Sequence, residues 1–199
     1  RGFELTLNTV NTIGDLKWNS GLTFTMNRNE ILSLNNENAV FDKNVQWFDH
    51  VTRSTIGHPL GQFYGYVVEG VFQNAEEIRN HAHQGDIDKI NGVWPGDLKF
   101  KDISGPEGEP DGIIDDLDRT FIGDPNPDFT FGLNNSFSYK NFDFALFFIG
   151  SYGNEIFNYT KRFTESLQLG DNQLASANDR ARLELIDENG SATNPDNVI

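Results

Sequence analysis

Residues Phe129 to Tyr152 read FTFGLNNSFSYKNFDFALFFIGSY, and both halves alternate with a period of two. On an extended chain Phe129, Phe131, Leu133, Phe137 and Tyr139 fall on one side, and Thr130, Gly132, Asn134, Ser136 and Ser138 on the other. A two-residue turn at Lys140-Asn141 follows, after which Phe142, Phe144, Leu146, Phe148 and Tyr152 resume the apolar side. This is the pattern of an antiparallel hairpin with one apolar and one polar face. The same pattern occurs at the start of the chain. In Phe3 to Asn11, Phe3, Leu5 and Leu7 oppose Glu4, Thr6 and Asn8; in Leu16 to Met26, Leu16, Trp18, Leu22, Phe24 and Met26 oppose Lys17, Asn19, Thr23 and Thr25. Ile13-Gly14-Asp15 joins these two segments tightly.

A soluble sandwich would also alternate, because one face of each strand packs on a core. Three features favour the wall of a membrane barrel instead. The strands run to about ten residues or more, and aromatic residues gather at strand ends (Tyr139, Phe142, Tyr152), where interfacial girdles lie. The turns within each pair are very short, whereas residues 28–128 form a connection far longer than ordinary loops. Outer-membrane barrels show this asymmetry, with short periplasmic turns and long external loops. The fold class expected is therefore all-β: antiparallel hairpins forming part of a large transmembrane β-barrel. Residues 1–27 and 129–152 are barrel hairpins, 28–128 a long extracellular insert, and 153–199 a second, truncated extracellular loop without a further strand.

The insert has a grammar of its own. GQFYGYVVEGVFQ (Gly61 to Gln73) reads as a bent strand or two, with Gly65 and Gly70 as kinks or bulges. A short helix follows from Asn74, with Glu77 as capping partner. His81 and His83 are two apart, do not share a helix face, and are expected in solvent. Trp94-Pro95-Gly96-Asp97 turns the chain into Leu98-Lys99-Phe100. Then comes KDISGPEGEPDGIIDDLDR (Lys101 to Arg119), with seven acidic residues between Asp102 and Asp118 and no base among them. Such a density of carboxylates repels itself unless a cation holds it. Read as an EF-hand-like loop spanning 102–118, it places Asp102, Ser104 and Asp111 at the first ligand positions and Gly112 at the sharp turn. Ile113 follows with its backbone carbonyl, then Asp115, with Asp118 closing the loop. Gly105 to Pro110 interrupt that order, and the closing acid is Asp in place of the longer Glu. Glu107 and Glu109 lie in the interruption. Structural calcium is the expected cofactor.

The chain has 199 residues, 37% of them hydrophobic, with 17 Phe, 5 Tyr and 3 Trp, a balance that suits strands better than helix bundles. A net charge of −15 argues against a nucleic-acid partner, since phosphates would be repelled. Without cysteine there is no disulfide framework. No basic-then-apolar leader and no long apolar run is present, which excludes a spanning helix but not barrel strands. Neither a nucleophile elbow, nor H-E-x-x-H, nor a phosphate-binding G-x-x-x-x-G-K motif occurs, and the acids cluster on turns rather than facing one another in a pocket, so no catalytic residue is expected.

Four blocks carry a family likeness in order: RGFELTLNT (Arg1 to Thr9), GHPLGQFYGYVVEGVFQNAEEI (Gly57 to Ile78), PGDLKFKDISG (Pro95 to Gly105), and DGIIDDLDRTFIGDPNPDFTFGLNNSFSYKNFDFALFFIGSYGNEIFN (Asp111 to Asn158). They resemble the C-terminal part of SusC/RagA-type TonB-dependent outer-membrane transporters. The resemblance implies a barrel of about 22 strands around a plug, importing oligosaccharides or peptides. Its partners would be a SusD-like surface lipoprotein, TonB through segments absent from this chain, and outer-membrane lipid. Relatives of this type usually carry the acidic loop without the Gly105 to Pro110 insertion. A soluble calcium-stabilised carbohydrate-binding module, with Trp47, Trp94, Phe63, Tyr64 and Tyr66 stacking on sugar rings, is the alternative.

Overall fold

The computed structural model describes the chain apart from residues 13, 37–39, 46, 47, 88–91, 168, 169 and 171, with the backbone alone at 45, 48 and 49. In chain order the elements are β1 (Gly2–Thr12), β2 (Leu16–Asn27), β3 (Phe41–Val45), β4 (Phe48–Ser54), β5 (Gln62–Gly65), β6 (Val68–Val71), α1 (Ala75–Asn80), β7 (Leu98–Phe100), β8 (Thr120–Gly123), β9 (Phe129–Tyr139), β10 (Phe142–Tyr152) and α2 (Lys161–Glu165). The chain divides into two compact units. One comprises Arg1–Tyr64 with Gly123–Ile156, the other Gly65–Ile122 with Phe157–Ile199.

The first unit holds a four-stranded antiparallel sheet in the order β1-β2-β9-β10. Both expected hairpins form, and β2 pairs directly with β9 across the long insert. The register aligns the apolar sides into rows that cross the sheet: Leu7–Leu22–Leu133–Phe148, Leu5–Phe24–Phe131–Gly150 and Trp18–Phe137–Phe144. Since side chains alternate, a slip of one residue in any strand would break every row at once. Trp18 stacks on Phe137 at 5.6 Å, Phe24 on Phe129 at 5.3 Å and Phe129 on Tyr152 at 5.2 Å between ring centroids. Gly150 leaves a gap that the Phe131 ring fills; a Cβ there would lie 2.5 Å from the ring. These contacts are cross-strand pairs of the kind that stabilise sheets. Tyr139 opposes Phe142 across the tight turn, where Lys140 takes a φ of 52°.

In the same unit β3, β4 and β5 form a smaller antiparallel arrangement. Arg53 grips Asp42 with two hydrogen bonds of 2.8 Å, and His50 Nδ1 lies 2.6 Å from the same carboxylate. The hydrogen bond from Arg53 holds the Asp42 carboxyl below its ordinary range against the opposing effect of burial.

The second unit is irregular. β6 pairs with β7 with a register irregularity between Val68 and Gly70, which leaves Glu69 as the extra residue, next to the expected position at Gly70. α1 starts where the sequence predicts, with Asn74 Oδ1 accepting the Glu77 amide at 2.9 Å. Glu77 does not close the reciprocal bond on Asn74; its carboxylate accepts from the Gln73 amide and from Lys99 Nζ at 2.6 Å. His81 also departs from expectation. It caps the C-terminus of α1, its side chain is 14% exposed, and its ring meets Phe72 edge-on, so it is packed rather than solvated.

Residues 157–199 do not trail as an open loop. Short turns of helix at Ala175–Asp179 and Pro195–Asn197 fold them onto the insert, with Arg79 clamping Asp196 through two hydrogen bonds. Among the described residues the buried apolar side chains are Phe72, Ala75, Ile78, Val93, Ala177 and Val198, all in this second unit. The sheet, richer in aromatics, contributes none.

Candidate functional site: the sheet faces and the acidic loop

The apolar face of the sheet lies open. Phe3 is 52% exposed, Phe142 80%, Phe144 58%, Phe148 54% and Tyr152 63%; Trp18 and Phe131 also remain exposed. The span from Leu16 to Met26 on β2 measures about 33 Å at about 3.3 Å per residue, or about 25 Å along the axis of a barrel with strands tilted about 40°. That matches the height of the outward apolar band of outer-membrane barrels. Charges bound the band at both ends. Asp15, Lys140 and Asp143 lie at the turns; at the far end Arg28 pairs with Asp128 at 2.7 Å, and the amide of Arg28 bonds to the Arg1 carbonyl.

The opposite face is small and polar. Asn8, Asn19, Gly21, Asn134 and Ser136 line a shallow groove there, with Thr6, Thr23 and Thr130 above it. Ala145, Phe147 and Ile149 of β10 break the polarity, and Phe147 and Ile149 stand 68% and 77% exposed.

The six predicted metal ligands lie in one loop and are held chiefly by backbone amides. Asp118 is fully buried. Its Oδ1 accepts from the amides of Ile103 (2.7 Å) and Ser104 (3.1 Å), and its Oδ2 from that of Asp115 (2.8 Å). Burial by itself would raise this carboxyl, but the three amide donors outweigh it and hold the group below its ordinary range. Asp115 is the N-cap of a 3-10 turn over Asp116–Asp118, its Oδ1 accepting the Leu117 amide at 2.7 Å. Asp102 Oδ2 accepts from Gly112 N at 2.7 Å, and Asp111 Oδ1 from Ile113 N at 3.0 Å. Ser104 donates to the Gly105 carbonyl, and Ile113 forms an isolated bridge with His83. That bridge, from His83 N to Gly112 O and from Ile114 N to His83 O, ties the loop to the segment after α1.

The fold brings Asp102 and Asp118 within reach of each other, and Asp102 Oδ1 is buried without a hydrogen-bond partner. Among the described residues no group of three or more acidic, histidine or cysteine side chains converges as a metal cage. The capping role of Asp115 was readable as Asp-x-x-Asp, a capping-box spacing. The hub at Asp118 was not, since two of its three donors come from 14 and 15 residues upstream.

Of the rings considered for sugar stacking, Tyr64 lies under the Arg53 guanidinium at 3.7 Å. Tyr66 stacks on Phe100 at 5.0 Å with Arg119 also over it. Trp47 lies outside the described residues. Among the described residues no helix is long and apolar enough to cross a membrane, which leaves barrel strands unaddressed.

No family model matches the chain. It is similar to three proteins of Formosa agariphila. TonB-dependent receptor P3 is 37% identical over 165 residues, covering 80% of this chain and 15% of the receptor. TonB-dependent receptor P26 is 33% identical over 172 residues, 81% of this chain and 16% of the receptor. TonB-dependent receptor P39 is 30% identical over 169 residues, 70% of this chain and 15% of the receptor. All three are named as receptors, none as an enzyme. The chain thus spans about one sixth of the length of these relatives, and over that length it is similar to TonB-dependent receptors.

Proposed function

We propose that this chain forms a stretch of barrel wall and external mouth in a TonB-dependent outer-membrane importer of the SusC/RagA type. The cargo would be oligosaccharides or peptides, taken up with a SusD-like surface lipoprotein and driven through TonB by segments outside this chain. One observation carries the reading. A sheet face on which most rows are aromatic or leucine is left uncovered over a height of about 25 Å, with charges at both rims. In water such a surface would aggregate; against hydrocarbon it is at rest. The small polar face then belongs to the lumen.

The test is to place nitroxide labels singly at Phe144, Ala145, Leu146, Phe147 and Phe148 of the parent receptor in vesicles. Oxygen collision is expected to be high at 144, 146 and 148 and low at 145 and 147. Equal accessibility, or preference for a water-soluble collider at 148, sinks the reading.

A cation at the acidic loop is the second reading, supported by the unpartnered buried Oδ1 of Asp102 beside the Asp118 carboxylate. Asp102 and Asp118 are the side chains that would hold it. Bound Ca²⁺ would supply neutralising charge and nothing more, ordering the stretch that leads towards β9. Calorimetry of the parent receptor with Ca²⁺ is expected to show heat of binding that is lost in Asp102→Asn. No heat in the unmodified protein removes the cation.

A further inference from the structure

A closed circuit of hydrogen bonds joins the acidic loop to the segment after α1. Asp102 Oδ2 accepts from Gly112 N at 2.7 Å, and Gly112 O accepts from His83 N at 2.7 Å. A bond from Ile114 N to His83 O at 3.0 Å doubles that link. The next residue, Gln84, turns its side chain to β7, where its Oε1 accepts from Phe100 N (3.0 Å) and its Nε2 donates to Leu98 O (2.8 Å). Phe100 precedes Asp102 by two residues, so the circuit returns to its start.

The carboxylate that closes this circuit is poorly placed on its own. Asp102 Oδ1 is buried without a partner, and the side chain lies within reach of the fully buried Asp118. Ionised carboxylates only accept hydrogen bonds, so neither can satisfy the other. They repel, and burial strengthens the repulsion because little water screens it. We propose that the cation read for the acidic loop acts as a lock on the segment after α1. With Asp102 and Asp118 neutralised, Asp102 keeps its hold on Gly112 and through it on His83; with the cation removed, repulsion moves Asp102 and the His83 link is released. The inference rests on the cation reading and adds a consequence outside the loop. Residues 83–87 form one wall of a cavity of about 370 Å³ that Phe72, Ile78 and Arg79 also line, so the cation sets the shape of that cavity.

The test follows hydrogen exchange in the parent receptor in vesicles, in saturating Ca²⁺ and in chelator. Exchange at His83 and Ile114 is expected to slow about fivefold or more in Ca²⁺, the lower end of typical coupling between sites. Exchange at Glu77, held by the Asn74 cap outside the circuit, should not change. Two variants separate charge from hydrogen bonding. In Asp102→Asn the side-chain oxygen still accepts from Gly112, the NH₂ donates to Asp118 and the repulsion is gone, so His83 should exchange slowly with or without Ca²⁺. In Asp102→Ala the acceptor is lost as well, and His83 should exchange fast in both conditions. An unchanged Glu77 amide reports in each variant that the unit remains folded. Fast exchange at His83 in Asp102→Asn overturns the lock, as does equal slowing at His83 and Glu77 in the unmodified receptor, which marks general stabilisation by a ligand. Heat of Ca²⁺ binding with unchanged exchange at His83 removes the lock and leaves the cation. No heat in the unmodified receptor removes both.

Discussion

The sheet of β1, β2, β9 and β10 and the irregular unit of residues 65–122 and 157–199 solve opposite problems. The sheet has long strands, a register continuous but for one irregularity between Val10 and Thr12, and stacked rings, yet among its described residues it buries no large apolar side chain. The irregular unit has short strands and scattered turns, yet it owns the core around Phe72, Ile78 and Val93 and the fully buried Asp118. On the proposed reading the first is completed by lipid, whereas the second is completed by its own interior. An aromatic-rich sequence therefore need not signal a core; where the rings lie on a face that nothing covers, they describe the solvent the face was made for.

The sharpest way to break this contrast is Phe72→Ala in the parent receptor. It should destabilise the irregular unit by about 3–5 kcal/mol through the cavity it leaves, seen as faster proteolysis of residues 65–122, while heat-modifiability of the barrel is unchanged. Simultaneous loss of both would merge the two regions. Leu133→Arg is the converse. If the sheet is barrel wall as proposed, a charge near the middle of the apolar face should cost about 2–4 kcal/mol in urea unfolding from vesicles, and Asn134→Arg on the polar face much less. Similar costs on both faces would erase the distinction between lipid and lumen.

Asp118→Asn tests whether the loop depends on amide donors. Asn supplies one acceptor oxygen where the carboxylate supplies two, so at least one buried amide loses its partner, at about 1–3 kcal/mol, read as increased hydrogen exchange at Ile103, Ser104 and Asp115. The same residue sets the pH dependence. Its folded pKa is depressed, so its contribution is complete above the ordinary value of 3.8 and is lost as pH falls through the lower folded value. Exchange at those amides should accelerate only at acid pH below 3.8, and Asp118→Asn should remove the acid step. Acceleration at neutral pH would reverse the sign. The smallest effect is Asn74→Ala, about 1 kcal/mol from loss of the α1 cap, measured in the same exchange experiment at Glu77.

Much of the sheet was legible because its information is local. Period-two alternation, a Lys-Asn turn and strand-end aromatics fix which side chains share a face before any partner strand is known. The start of α1 was legible for the same reason, through Asn74. The long-range pairings were not. Nothing adjacent to Asp118 says that Ile103 and Ser104 will turn their amides to it, nor that Arg79 will find Asp196, 117 residues away. His81 was misjudged because helix-face geometry says nothing of Phe72, which closes over it from outside the helix.

What the sequence determined by itself is a two-faced antiparallel wall and an acid-rich turn, since both follow from side-chain spacing along one strand or loop. Only the tertiary structure decided that β2 and β9 are neighbours, that Thr9, Asn11, Ser20 and Asn135 join into one hydrogen-bonded row, and that residues 157–199 fold onto the insert. Each of those depends on which distant segments meet. Chain spacing sets direction within an element, but only packing sets its partners.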